Sequence, residues 1–272
     1  MAQADPSAIC LWKAMIRNTS WENVAGWYDE LLASEGTYQR DLILPNLLRL
    51  VAPQPRDTIV DLACGPGFFS FEFANAGARV IGVDASRKLI ERARKRASGM
   101  RKKVGEPNPE FRVAKADELS FVGDAAVDKI AIVLALQNIE NVGSVFKTCA
   151  RVMKPGGTLS LVVNHPAFRI PKKSSWGWDD AAKIQYRRID NYLSESKVEI
   201  AMHPGKKSGE KTISFHRPLQ FYFKALNKAG FPVTVLEEWN SNRRSEPGPR
   251  AAAENAARKE IPLFLFIQAR RI

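Results

Sequence analysis

The chain is poor in cysteine, in long apolar runs and in acidic residues relative to basic ones. Cys10, Cys64 and Cys149 are an odd number at unrelated spacings, with no CxxC pair and no nearby histidine partners, so neither a disulfide framework nor a zinc site is indicated and no metal is expected. No window approaches the roughly 20 apolar residues that a membrane span requires. The run Ile9, Cys10, Leu11, Trp12 is too short for a signal-peptide core and lacks a small-residue cleavage site. These shortages describe a soluble, cytoplasmic protein without a membrane partner. Acidic residues number 29 against 41 basic ones, a formal charge of +12 that would suit a polyanionic partner. Much of that charge lies in Arg87 to Lys103, where Leu89, Ile90 and Ala93 form a buried stripe and Arg or Lys the outer face. No aromatics are interleaved there to stack bases, so a solvated helix face is the preferred reading and nucleic acid the second.

What is present begins with length. A chain of 272 residues is long enough to bury roughly 70% of its unfolded surface in one core. Residues 1–39 read as an amphipathic helical segment anchored by Trp12, Ile16, Trp21, Val24, Trp27 and Tyr28, a preface to a main domain over 40–272. A helix over Asp41 to Val51 ends at Pro53 and Pro55, before a first strand at Thr58 to Ala63. Strands are then expected at Ala78 to Asp84, Phe111 to Ala114, Lys129 to Leu136 and Thr158 to Asn164, alternating with helices. Several are continuous apolar runs, as in a parallel sheet covered on both faces. The alternation predicts an α/β fold with a doubly wound sheet. After Asn164 the rhythm breaks for about fifty residues and resumes in a helix over His216 to Phe231, with Pro218 in its first turn and Gly230 capping its end. Strands at Val233 to Trp239 and Ile261 to Ala269 follow, separated by a long polar loop with a short helix near Ala251 to Arg258.

The first strand runs into DLACGPGFFS, Asp61 to Ser70. Gly65 and Gly67 let the backbone turn tightly and approach a ligand, and the following helix aims its N-terminus at the same place. About twenty residues on, the second strand ends in Asp84, whose carboxylate suits a ribose diol. A dinucleotide fingerprint would want a third glycine at position 70, where this chain has Ser70, so an NAD oxidoreductase is the weaker reading.

VDLACGPG with VIGVDAS resembles motifs I and II of the class I S-adenosylmethionine-dependent methyltransferases, with Ala63 where that family often has its first glycine. KADEL (Lys115 to Leu119), ALQNIEN (Ala135 to Asn141), ARVMKPGGTLSLVV (Ala150 to Val163) and LNKAGF (Leu226 to Phe231) are similar to later segments of the same family, in the same order. The resemblance implies a Rossmann-like, seven-stranded, mostly parallel sheet with its last strand antiparallel, and S-adenosyl-L-methionine as cofactor. It implies that Asp61, Gly65 and Gly67 line the methionine side, Asp84 the ribose and Asp117 the adenine, with Ala63, Ala85, Glu118 and Leu134 also binding the cofactor. Tyr28, in WYDE, corresponds to a Tyr-Asp pair that often closes over the cofactor, although a core tyrosine reads the same way.

NHPAF, Asn164 to Phe168, imitates the Asn-Pro-Pro-Tyr/Phe loop of enzymes that methylate base amino groups. That loop follows strand 4, which here ends in ALQN, whereas NHPAF follows strand 5. It resembles instead the His-Pro pair of a subgroup of small-molecule class I methyltransferases (type 11/25-like), in which an aromatic-rich insertion and a His-Arg-Pro/Thr-Leu helix start follow. His165 is then a candidate general base or a structural hydrogen-bonder in equal measure. Gln137 and Asn138 are candidates for orienting an acceptor, while His216 and Arg217 are expected to be structural. The insertion over 166–214 is expected to close as a lid carrying Trp176, Trp178, Tyr186 and Tyr192, with Lys172, Lys173, Arg187 and Arg188 available to an acidic group. The function implied is methyl transfer to an O or N atom of a small aromatic or acidic metabolite. An RNA (tRNA or rRNA) methyltransferase and a catalytically inactive cofactor-binding protein are the alternatives.

Overall fold

The computed structural model describes residues 21–100, 108–202 and 209–272. Trp12, Ile16, Cys10 and the last part of the basic run, Arg101 to Lys103, lie outside them. The chain begins with α1 (Ala25–Ala33), then a wide π turn (Gln39–Ile43) that runs into α2 (Leu44–Val51), with Pro45 in the first turn, where its missing N–H costs nothing. The sheet is then built from β1 (Thr58–Leu62), α3 (Phe68–Asn75), β2 (Arg79–Asp84), α4 (Arg87–Gly99), β3 (Glu110–Val113), β4 (Val127–Val133), α5 (Val142–Val152) and β5 (Met153–Asn164). Two antiparallel hairpins follow, β6 (Ser174–Asp179) with β7 (Ile184–Ile189) and β8 (Ser196–Ala201) with β9 (Lys211–His216). The chain finishes with α6 (Leu219–Lys228), β10 (Val233–Trp239), α7 (Ala251–Glu260) and β11 (Phe264–Arg270).

The strand order is β10-β11-β5-β4-β1-β2-β3, with β11 antiparallel to both neighbours and the other pairs parallel. This is the seven-stranded, doubly wound sheet with its last strand reversed. Alternation along the strands divides the core. Val60, Ile130, Ile132, Leu159, Leu161, Leu265 and Ile267 pack toward α5 and α6, while Ile59, Ala131, Val133, Val162, Phe264 and Phe266 pack toward α2 and α3. Both faces are covered, which explains why these strands read as unbroken apolar runs.

Three expectations need correction. β5 starts at Met153 rather than Thr158, because Met153 pairs with Val127 before the Lys154 to Gly157 segment bulges out and Thr158 resumes beside Lys129. The helix expected from His216 starts at Leu219, because His216 is the last residue of β9 and Pro218 sits extended (ψ 160°) as the N-cap. The insertion is regular, not irregular, being made of the two hairpins. Among the described residues, no helix is long and apolar enough to cross a membrane.

Candidate active site

The glycine loop is held by its backbone. Ala63 adopts φ +60°, Gly65 φ +57° and Gly67 φ +85°, so the chain reverses within five residues and delivers α3 beneath it. A Cβ on Gly67 would stand 2.7 Å from the Phe111 ring, and one on Gly65 would stand 3.3 Å from the Tyr28 ring. Glycine at 67 is therefore needed for packing as well as for its dihedral.

Two carboxylates bracket this loop. Asp84, at the end of β2, accepts from the Gly65 N–H at 2.9 Å and from the Ser86 N–H at 2.8 Å. Asp61, fully buried on β1, accepts from the Ser70 hydroxyl at 2.5 Å. Burial raises Asp61 to about 7 and Asp84 to about 6, against the hydrogen bonds from Ser70, Ser86 and Gly65. Tyr28 covers Gly65, and its phenol is pushed upward by burial and by the charges of Asp84 and Asp61. The segment that carries Tyr28 is tied down from both sides. Glu22 accepts from the Arg87 and Lys88 N–H groups that open α4, and Asp29 pairs with Arg92 and Arg96 on the same helix.

Above the loop lies a cavity of about 660 Å³, within the roughly 300–1,000 Å³ usual for small-molecule sites. Of the residues expected from sequence, Tyr28, Ala63, Asp84, Ala85, Asp117, Leu134 and Asn138 line it. Asp61, Gly65, Gly67, Glu118 and Gln137 are not on its wall: Asp61 is engaged with Ser70, the glycines shape the loop, Glu118 pairs with Lys115, and Gln137 turns back to the Leu134 carbonyl. The nucleoside ligand implied by the motifs fits what is there. Asp84 stands on the cavity wall, fixed by one N–H group at each oxygen and with acceptor capacity left over, the glycine loop gives room for backbone approach, and Asp117 lies at the cavity wall after β3.

The hairpin β8/β9 supplies the opposite wall through Lys197, Glu199, Lys211, Thr212, Ile213 and Phe215. The sequence named other lid residues. Trp176 instead lies under Arg187 and Trp178 under Arg250, while Tyr192 accepts from the Leu219 N–H and its carbonyl from His216 Nε2. No sequence signal marked Ile213 or Phe215, since alternating residues of an exposed hairpin look alike from either face.

The turn after β4 is the best-anchored part of the site. Leu134 stands at φ +53°, an uncommon conformation for a branched side chain, and its carbonyl accepts from Gln137 Nε2 at 2.6 Å. Gln137 Oε1 is buried without a partner among the described residues. Asn138 Nδ2 donates to the Ile213 carbonyl, joining the turn to β9. Beneath, the buried Arg217 donates to the carbonyls of Leu136, Ile139 and Glu140, so its role is structural, and His216 acts likewise. His165 is buried outside the cavity, with Nε2 at 2.7 Å from Glu238 and Nδ1 accepting from the Ala167 N–H. Those partners assign a neutral ring protonated at Nε2, which burial favours by lowering its pKa against the pull of Glu238, and no lone pair faces the cavity. Among the described residues, no group of three or more His, Cys, Asp or Glu could hold a metal.

Residues 60–161 match a family model described as a methyltransferase domain. The chain is 34% identical over 177 residues to the ubiquinone biosynthesis O-methyltransferase of Sinorhizobium fredii, covering 62% of this chain and 68% of that protein. The next curated relatives are matched over about two fifths of their own length. An uncharacterized protein of Haemophilus influenzae is 24% identical over 92% of this chain and 95% of its own. Among solved structures, an S-adenosylmethionine-dependent methyltransferase from Mesorhizobium loti is 28% identical with a TM-score of 0.63, covering 83% of this chain and 96% of that one.

Proposed function

Because the chain belongs to the class I S-adenosylmethionine-dependent methyltransferases, we propose that it methylates an oxygen or nitrogen atom of a small aromatic or acidic metabolite. S-adenosylmethionine supplies an electrophilic methyl group on a sulfonium. In the transfer the acceptor atom bonds to the methyl carbon as the sulfonium C–S bond breaks, leaving S-adenosylhomocysteine, and the proton of a hydroxyl or amine acceptor is released to solvent; the chain's own work is alignment and exclusion of water during the in-line displacement. In this reading Asp84 holds the ribose hydroxyls, Asp117 borders the base, and Tyr28 covers the loop that faces the methionine end. The hairpin β8/β9 closes the far side.

The observation that carries this reading is the cavity itself, about 660 Å³, bounded by Asp84, Ala85 and Asp117 on one side and by the β8/β9 hairpin on the other, a size that suits a nucleoside cofactor with a small acceptor. The name of the Sinorhizobium relative, an O-methyltransferase of quinone biosynthesis, supports a phenolic oxygen.

The test is calorimetric titration with S-adenosylhomocysteine, followed by transfer of labelled methyl groups to a panel of phenols, aromatic acids, amines and bulk RNA. Wild type is expected to bind S-adenosylhomocysteine, Asp84→Ala to bind at least tenfold more weakly, and a phenolic acceptor to be labelled. Labelling of RNA with no labelling of any small acceptor would overturn the reading.

A further inference from the structure

We infer that the acceptor carries an anionic oxygen group that extends past the cavity wall to the neighbouring β5/β11 edge of the sheet, where Arg169 holds it with Arg187 beside it. This deepens the proposed methyl transfer and rests on it for the position of the acceptor. The sheet's order supplies that position. Asp84, Ala63 and Leu134 stand at the carboxyl ends of β2, β1 and β4, and β5 and then β11 are next along the same edge. The start of β11 belongs to this edge because the strand is reversed, with Phe264 opposite Asn164. Strands lie about 4.8 Å apart, so an acceptor entering beside β4 reaches β11 within roughly 10 Å, the length of a substituted ring.

At that place the HPAFR turn, with Arg169 N donating to the His165 carbonyl, lifts Arg169 over the Phe264 ring at 5.4 Å. Tyr38 stands edge-on to Phe264 with centroids 5.8 Å apart, and Phe264, Phe68, Tyr38, Tyr28 and Leu134 share one apolar cluster with the cavity wall. Arg169 makes no ion pair and donates to no carboxylate among the described residues, whereas Glu238, the carboxylate that reaches this turn, is taken by His165. Arg187 donates through Nε to the Phe168 carbonyl and through Nη2 to Ser174, lies over Trp176, and has no carboxylate partner either. Burial and the neighbouring Arg187 charge lower the Arg169 pKa, while Tyr38 pulls the other way. On the near side Arg40 lies over Phe68 at 5.3 Å, with its Nε buried and unpartnered among the described residues.

A guanidinium lying over one aromatic ring is only weakly compensated by it. The Arg187 charge beside it is repulsive, and an anion between the two would relieve that repulsion. The planar fork of arginine suits a carboxylate or phosphate oxygen pair, and the aromatic floor suits a ring attached to it. His165 is then a positioning residue: held by Glu238 and by Ala167, it fixes the turn from which Arg169 projects.

The experiment uses the full chain saturated with S-adenosylhomocysteine and three probes, 4-hydroxybenzoate, 4-hydroxyphenyl phosphate and the neutral 4-hydroxybenzamide, titrated into wild type, Arg169→Gln and Arg169→Lys. An anionic probe is expected to bind wild type at least tenfold more tightly than the amide. Arg169→Gln should lose that preference, Arg169→Lys should recover part of it, and both should bind S-adenosylhomocysteine as wild type does. The tighter of the two anionic probes separates carboxylate from phosphate. Equal binding of anionic and neutral probes, no binding of either anion, or a preference that survives Arg169→Gln would each overturn the inference. S-adenosylhomocysteine affinity, measured first, reports separately on the methyltransferase reading: its absence counts against that reading, and the three probes are then titrated into the protein alone with the same criteria.

Discussion

At the scale of single residues, the site depends on charges kept from water. Asp61 has a folded pKa of about 7, above the roughly 3.9 of an unfolded aspartate, so the fold binds its proton more tightly than the unfolded chain does. Its contribution to stability is therefore present below about pH 4 and is lost as pH rises toward 7; Asp84 adds the same sign over about pH 4 to 6. Urea unfolding of the ligand-free protein should show a decline across this window that Asp61→Asn flattens. Parallel pH profiles for the two proteins would contradict the burial argument. The glycine loop and the strand-end Asp84 were legible in the sequence because the loop's dihedrals and its tie to that carboxylate dictate residue type directly. Ala63 was read as a departure from glycine, and its φ of +60° shows that the departure is in side chain, not in backbone shape. Arg169 was not singled out, since nothing local distinguishes an arginine facing an aromatic ring from one facing solvent. His165 was legible as placed at a strand end but not as saturated, because its partner Glu238 lies 73 residues away.

At the scale of elements, the strands and helices of the sheet were readable from their apolar runs and alternation; the structure adds side-chain caps, Ser86 Oγ accepting from Leu89 N and Asn141 Oδ1 accepting from Ser144 N. The hairpins were not readable. Their strands are half-exposed on alternating residues, and neither face carries the unbroken apolar signal that marks a buried strand. Beside the Asn138–Ile213 bond, the hairpin is tied to the sheet by Arg217, which follows β9 and donates to three carbonyls of the turn after β4. Arg217→Ala would orphan those carbonyls in a buried place, and a loss of about 3 kcal/mol in urea unfolding is expected. Weaker S-adenosylhomocysteine binding should accompany it, because the same turn forms the cavity wall. Unchanged stability would mean that water reaches these carbonyls.

At the scale of the whole molecule, the charge of +12 and the ordering of the sheet are the properties that no single element holds. The positive charge on the outer face of α4 is partly matched by Asp29, and α4 itself carries no aromatic residue that could stack a base. Any RNA binding should then be weak, indifferent to sequence and largely lost between about 50 and 200 mM salt. Salt-resistant, sequence-selective binding in a gel-shift assay would instead favour the RNA reading. The sheet's order has a further consequence, for synthesis. β11, the last strand in the chain order, is inserted between β5 and β10, so a nascent chain leaving the ribosome carries the long apolar β5 with one edge unpaired until β11 emerges. Aggregation at that edge, and capture by chaperones that recognise exposed strands, are hazards of the growing chain and not of the finished protein, and slowing translation ahead of β11 would lengthen them.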